Sequence, residues 1–218
     1  MTRRRIQWGM FFAVVCSAVV VFADAGTAYT IDPTRSEFAV QLFKAGAGAL
    51  FAHDHVVRAT MYTGQIHFDR DTPANSSVSI EVQSASLKID EAEVRKKYDL
   101  PSQLSEKDRL QIQETMLSPS QLDAAHYPII QFSSTQIVAQ TDEIYTVTGD
   151  LTIRKITRTV IFSARIEHDQ QTLHVHGSFR FKQSSFGYEP YSALFGAVRN
   201  QDEVLLHFDL VASPAKGE

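Results

Sequence analysis

A single cysteine, Cys16, stands among 218 residues. It falls inside an apolar stretch near the start, so the chain beyond that stretch holds no thiol. Disulfides, a cysteine nucleophile and cysteine-ligated zinc or iron–sulfur centres are therefore excluded from the body of the protein. Tryptophan is as scarce, with one residue, while seven prolines and ten glycines form no tract rich in either. That excludes collagen-like repetition and proline-rich or low-complexity linkers. The longest apolar run, Trp8 to Ala23, is about sixteen residues, or roughly 24 Å of helix, against a hydrocarbon core of about 30 Å. Basic residues number 21 against 25 acidic ones, a formal charge of −4. Without an extended basic stretch, nucleic acid is a poor partner. Gly-x-Ser-x-Gly, His-Glu-x-x-His and phosphate-binding glycine loops do not occur, and no other constellation marks an enzyme.

What is present begins with residues 1–28. Arg3, Arg4 and Arg5 precede the apolar run, and Ala23-Asp24-Ala25 and Gly26-Thr27-Ala28 follow it. A basic start, an apolar middle and a small-residue exit read as a secretory signal peptide cleaved after Ala25 or Ala28, which sends the protein to the periplasm. A retained transmembrane anchor is the rival, and the run is short for one. Gln7 breaks a twin-arginine pattern, and Val15 stands where a lipoprotein cysteine would need a small neighbour. Cleavage removes three basic residues and Asp24 and leaves a net charge of about −6.

The remainder reads as one domain, 29–213, with a loose tail, 214–218. Its dominant period is two, the mark of half-buried strands. Phe38, Val40 and Leu42 alternate with polar or small neighbours, as do Val78, Ile80 and Val82. Further strands are expected at 56–58 with 61–68, 130–138, 144–153, 157–167, 172–181 and 204–211. About eight antiparallel strands joined by tight turns indicate a sandwich or an up-and-down barrel. One helical stretch interrupts them between Asp90 and Ala125. Glu91–Arg95 and Glu93–Lys97 are spaced as i,i+4 pairs, Ser105 with Asp108 as a cap, and Leu110, Ile112, Met116 and Leu117 as a patchy apolar face before Ser118-Pro119. The charged residues of this stretch read as a solvated face, and Asp69–Asp71 and Asp90–Glu91 as solvated or capping carboxylates.

The sharpest polar feature is His53-Asp54-His55. On an extended segment the two histidines share a face and Asp54 takes the other. His174 and His176 repeat the spacing, and two such pairs facing each other could hold a divalent metal. That arrangement would support a metal- or heme-assisted redox enzyme using His53 and His55. A head-group contact at a barrel mouth and a purely structural polar role are the other readings of the same pair, and an exposed strand face is the plain reading of His174 and His176.

The order of motifs resembles the YceI-like family. Tyr29-Thr30-Ile31-Asp32-Pro33 with Ser36-Glu37-Phe38 is similar to the family's opening. Gly64-Gln65-Ile66-His67-Phe68-Asp69, Leu122-Asp123 with Tyr127-Pro128-Ile129-Ile130-Gln131-Phe132, Val147-Thr148-Gly149-Asp150-Leu151-Thr152-Ile153 and Ser185-Phe186-Gly187 follow in order. Lys155 replaces a turn glycine and Ser185 an acidic residue. The resemblance implies an all-β fold, an eight-stranded antiparallel lipocalin-like barrel with a short helical insertion, holding an isoprenoid lipid of polyprenyl or quinone type. His53, His55, Phe38, Val40, Leu42, Phe132 and Phe186 are the ligand-binding residues expected on that basis. No cofactor and no catalysis are expected. The expected partners are the lipid, a membrane surface met in passing and, as an open alternative, a second copy of the chain.

Overall fold

A computed structural model describes residues 26–100, 104–169 and 171–215. The signal-peptide expectation for 1–25 lies outside the described residues, as do 216–218 of the tail. One continuous antiparallel sheet carries β1 (Thr27–Ile31), β2 (Glu37–Ala45), β3 (His55–Ala59), β4 (Tyr62–Phe68), β5 (Ser77–Gln83) and β6 (Leu87–Ile89). Two helices follow, α1 (Ala92–Lys97) and α2 (Glu106–Leu117). The sheet then resumes with β7 (Ile129–Ala139), β8 (Ile144–Ile153), β9 (Ile156–His168), β10 (Leu173–Lys182), β11 (Ser192–Ala193) and β12 (Val198–Pro214).

These segments make a closed barrel of eight staves, as expected. Five are single strands: β7, β8, β9, β10 and β12. Three are broken: β1 leads into β2, β3 into β4 and β5 into β6. In each case both pieces run in the same direction, and the β1–β2 and β3–β4 pieces share their neighbouring staves, whereas β5 pairs with β7 and β6 does not. Closure comes where β12 pairs with both β1 and β2. A broken ladder leaves backbone groups unpaired, and buried ones need partners. Hydroxyls supply them. The Tyr62 hydroxyl donates to the Ser36 carbonyl at 2.7 Å, Thr60 Oγ1 donates to the Ser86 carbonyl at 2.7 Å, and the Met61 amide donates to Ser86 Oγ at 3.1 Å.

Several expectations need correcting. Pro214 sits opposite Tyr29 in the β12–β1 ladder, and the Ala215 amide donates to the Ala28 carbonyl at 2.8 Å, so the paired chain runs past 213. The helical stretch is two helices. Ser105 Oγ caps α2 by accepting from the Asp108 amide, as expected, and Ser118 ends it. The expected helix pairs are redirected: Glu91 takes a bidentate contact from Arg58, and Lys97 reaches Glu37 on β2. Both partners lie across on the sheet because α1 packs against the outside of β2 and β3. There Ala39, Val56 and Val94 form a small second core with Tyr98 and Leu100.

Inside the barrel, packing is uneven along the axis. Tyr29, Ile31, Tyr145, Leu173 and Ala212 are buried and fill one end, and Phe68 borders the open space beyond them. Toward the other end, inward residues such as Val40, Leu42, Ile80, Phe132 and Leu206 are only partly covered, because they border open space.

Candidate functional site

The open space is a cavity of about 510 Å³ running down the barrel. It lies within the roughly 300–1,000 Å³ range of pockets that enclose a whole small ligand. Its wall is aliphatic and aromatic, because inward positions of every stave alternate with outward polar ones. Phe38, Val40 and Leu42 project into it from β2, and Phe132 from β7, as expected. A group of phenylalanine rings crosses its middle: Phe162 stacks on Phe179 with centroids 4.6 Å apart, and meets Phe208 at 5.4 Å and Phe132 at 5.7 Å. Two inward glycines let these rings lie back against the wall. A β-carbon at Gly149 would come within 2.4 Å of Phe132 Cζ, and one at Gly177 within 2.6 Å of Phe208 Cζ. Any side chain there would push a ring into the cavity.

Phe186 does not belong to this wall. It is 1 % exposed and packs edge-on against Phe181, behind the lining, with Leu151 and Ile153. The late turn motif pointed to it, but the turn places the ring in the barrel's own packing rather than in its lumen.

The mouth is where polar groups collect. His53, in the loop after β2, and His55, the first residue of β3, both border the cavity, as expected of alternating positions, while Asp54 turns away and its Oδ1 accepts the Lys44 amide at 2.7 Å. His55 is held from behind. Its Nδ1 lies 2.6 Å from Asp90 Oδ2, and Asp90 Oδ1 also accepts from Arg95 Nη1 at 2.6 Å and from the Val56 amide at 3.1 Å. The Asp90 side chain is completely buried and that of Arg95 nearly so, which overturns the reading of these charges as solvated. The β6–β3 register places Asp90 beside Val56, under α1. Burial alone raises the Asp90 pKa, but the hydrogen bond and charge of His55, the Val56 amide and Arg95 outweigh it and hold the carboxyl below its ordinary value. An ionised carboxylate only accepts, so His55 Nδ1 carries the proton. Nε2 has no hydrogen-bond partner among the described residues and is left to the cavity side.

Helix α2 lies along the mouth. Asp108, Gln111, Ile112, Thr115 and Met116 border the cavity, whereas Leu110 faces solvent, so only half of the expected apolar face is used. One residue ties the helix to the sheet. Gln113 Oε1 accepts the Ile89 amide at 2.9 Å, and its Nε2 donates to the Leu87 carbonyl at 2.6 Å, so the amide takes the place of a neighbouring strand along β6. Across the mouth, the β8–β9 hairpin turns through Arg154 and Lys155, both left-handed (φ 52° and 60°), a conformation that suits the glycine that Lys155 replaces. Arg154 lies over Tyr188, whose phenol is pushed up by burial and eased back by the guanidinium.

The metal reading fails on geometry. Val175 is the inward residue of its stretch, so His174 and His176 lie on the outer face of β10, where His174 Nε2 meets Asp209 Oδ1 at 2.6 Å. They are on the half of β10 away from His53 and His55, and the two pairs do not face each other. Among the described residues no group of three or more His, Asp, Glu or Cys is placed to hold a metal ion. Gln113, Asp90, Arg95, Gly149 and Gly177 were not singled out as site residues by sequence reasoning. Only the two inward glycines, on strands of otherwise apolar alternation, left a signal that could have been followed.

Comparison with known proteins gives the family. A family model described as the YceI-like domain matches residues 29–212. The chain belongs to the YceI-like family. Among curated proteins, a UPF0312 protein of Photorhabdus laumondii is 32% identical over 105 residues, covering 48% of this chain and 45% of that protein. One of Pseudomonas savastanoi is 31% identical over 103 residues, covering 47% and 44%. The alignments thus span just under half of each relative. Among solved structures, BcnA of Burkholderia cenocepacia superposes with a TM-score of 0.65 at 21% identity, over 84% of this chain and 99% of that one. A polyisoprenoid-binding domain of Saccharophagus degradans superposes with a TM-score of 0.59 at 11% identity, over 87% and 99%. At these identities the structural likeness establishes the barrel.

Proposed function

We propose that this protein is an exported, periplasmic, non-catalytic binder of an isoprenoid lipid, a polyprenol or the quinol form of an isoprenoid quinone. The tail lies in the barrel and a head-group hydroxyl lies against His55. The observation that carries the reading is the slender apolar cavity closed at one end and edged by histidine at the other. Burying an isoprenoid chain there contributes roughly 25 cal/mol per Å², which makes the tail the main source of affinity. His55 adds selectivity. With Nδ1–H fixed on Asp90, the ring presents Nε2 to the head group, where a hydroxyl can pair with it as donor or acceptor. The basic–apolar–small start of the chain supports export, and the polyisoprenoid-binding neighbour supports the ligand class.

Native mass spectrometry of the protein purified from its own cells, followed by lipid extraction, tests this directly. The expected result is a bound isoprenoid mass. A bare polypeptide, or a metal or heme mass, overturns it. His55→Ala is expected to keep the fold and the tail's affinity while weakening a polyprenol by up to about tenfold, since one such hydrogen bond contributes about 0.5–1.5 kcal/mol.

A further inference from the structure

Three of the most exposed apolar side chains in the described molecule gather at the cavity mouth. Phe195 is fully exposed, Leu50 is 92% exposed and Leu194 72%. Leu50 sits in the loop joining β2 to β3, and Leu194 and Phe195 lie between β11 and β12. The two loops are laced together: the Gly48 amide donates to the Ala197 carbonyl at 2.7 Å, and a β-carbon on Gly46 would come within 2.4 Å of that same oxygen. Ala52 and His53 from one loop, and Tyr191 just ahead of the other, border the cavity, so the tips flank its opening.

The backbone works to hold them outward. Leu194, Phe195 and Gly196 are three consecutive left-handed residues, with φ of 51°, 55° and 88°. For leucine and phenylalanine this conformation is strained, and such strain gathers at functional sites. Charge is also distributed unequally between the ends. The mouth mixes signs: Arg154 and Lys155 in the β8–β9 turn and Lys44 and Arg199 behind the tips stand with Asp54, Glu189 and Asp108. The turns at the closed end carry Asp69, Asp71, Asp142, Glu143 and Asp169 against Arg70.

We propose that Leu50, Leu194 and Phe195 form a docking tip that enters the surface of a phospholipid bilayer containing anionic lipid, mouth first, so that an isoprenoid passes between membrane and cavity without crossing water. This rests on the lipid-binding reading above. Separate, protruding phenylalanine and leucine side chains suit insertion among acyl chains, and the excess of carboxylates at the far end turns that end away from an anionic surface.

The test compares the wild-type protein with the triple variant Leu50→Ser, Leu194→Ser, Phe195→Ser. Both are assayed for flotation with vesicles of phosphatidylethanolamine and phosphatidylglycerol, and for uptake of a polyprenol from those vesicles and from detergent micelles. The wild type is expected to float with the vesicles. The variant is expected to bind them at least tenfold more weakly, since burying even one such side chain is worth about that factor. It should load correspondingly slowly from vesicles and at the wild-type rate from micelles. A wild type that stays free of vesicles overturns the proposal, as does a variant that loads from vesicles at full speed. So does light scattering that finds a wild-type dimer which the variant splits, because the tips would then cover a second copy. If neither protein takes polyprenol from micelles, the lipid-binding reading falls, and flotation alone still decides the docking tip.

Discussion

At the end of the barrel where β4, β7 and β9 finish, the turns are tied by their own side chains. Asp69 Oδ1 accepts the Thr72 amide, and Asp169 Oδ1 the amides of Gln171 and Thr172. Beneath them Phe68 meets Tyr145 edge-on at 5.7 Å within a fully buried layer. At the opposite end the loops carry bare leucine and phenylalanine, the polar groups are aimed inward, and the interior is empty. Eight staves enclose a space that side chains can just fill. This barrel fills one end and leaves the rest open, so the hollow follows from side-chain choice, with rings laid back over Gly149 and Gly177, and not from strand number.

The strongest way to break this contrast is to truncate one ring at each end. Tyr145→Ala, whose ring is buried away from the cavity wall, is expected to cost about 3–5 kcal/mol, the loss typical of a large buried ring whose site cannot collapse. Phe132→Ala, whose ring already borders the cavity, should cost distinctly less while accepting bulkier ligands. Urea titrations of the two variants measure the difference, and equal losses would mean that the open end is packed as tightly as the closed one.

The strands were largely legible in the sequence, because alternation is a local signal: β8 runs over the expected residues 144–153, and Phe38, Val40, Leu42 and Phe132 face the cavity as alternation places them. The breaks within three staves were not legible, since Ser36, Thr60 and Ser86 acquire their meaning only from one another across the sheet. Asp90 and Arg95 were misread for the same reason. On a helix start they resemble any solvated pair, and only the β6–β3 register buries them. Phe186 shows the limit of a motif: it located the turn and not the direction of the ring.

Acid separates the two ends more finely. Asp69, in a turn at the closed end, is held below its ordinary value, chiefly by the Thr72 amide. Asp90 is held low in the interior, where burial opposes and the His55, Val56 and Arg95 contacts prevail. A carboxyl depressed in the folded state contributes stability that is fully present above its unfolded value near 3.9 and disappears as pH falls through the folded value. Asp90→Asn should therefore lose about 3 kcal/mol at neutral pH, because it leaves Arg95 buried without its counter-charge. The gap between wild type and variant should stay constant from pH 7 to about 5 and close below about 4. Denaturation midpoints across that range measure it. A gap that persists undiminished well below pH 3 would show that the charge of Asp90 is not what anchors the mouth.

The smallest effect concerns α2, the part of the open end with least core of its own. None of its residues is fully buried, and Gln113 makes both of its bonds to the β6 backbone. Each bond contributes about 0.5–1.5 kcal/mol. Much of that is local, because a helix bordering a cavity can detach without opening the barrel. Gln113→Ala is therefore expected to move the global unfolding midpoint little. It should speed amide hydrogen exchange selectively across residues 106–117 and shorten the residence of a bound polyprenol several-fold, since the helix that borders the mouth is freed. The Asp69 and Asp169 turns at the other end should exchange as in the wild type. Unchanged exchange in α2 would mean that Ile112 and Met116, resting on the cavity edge, hold the helix by themselves, and that Gln113 does no more than satisfy the edge of β6.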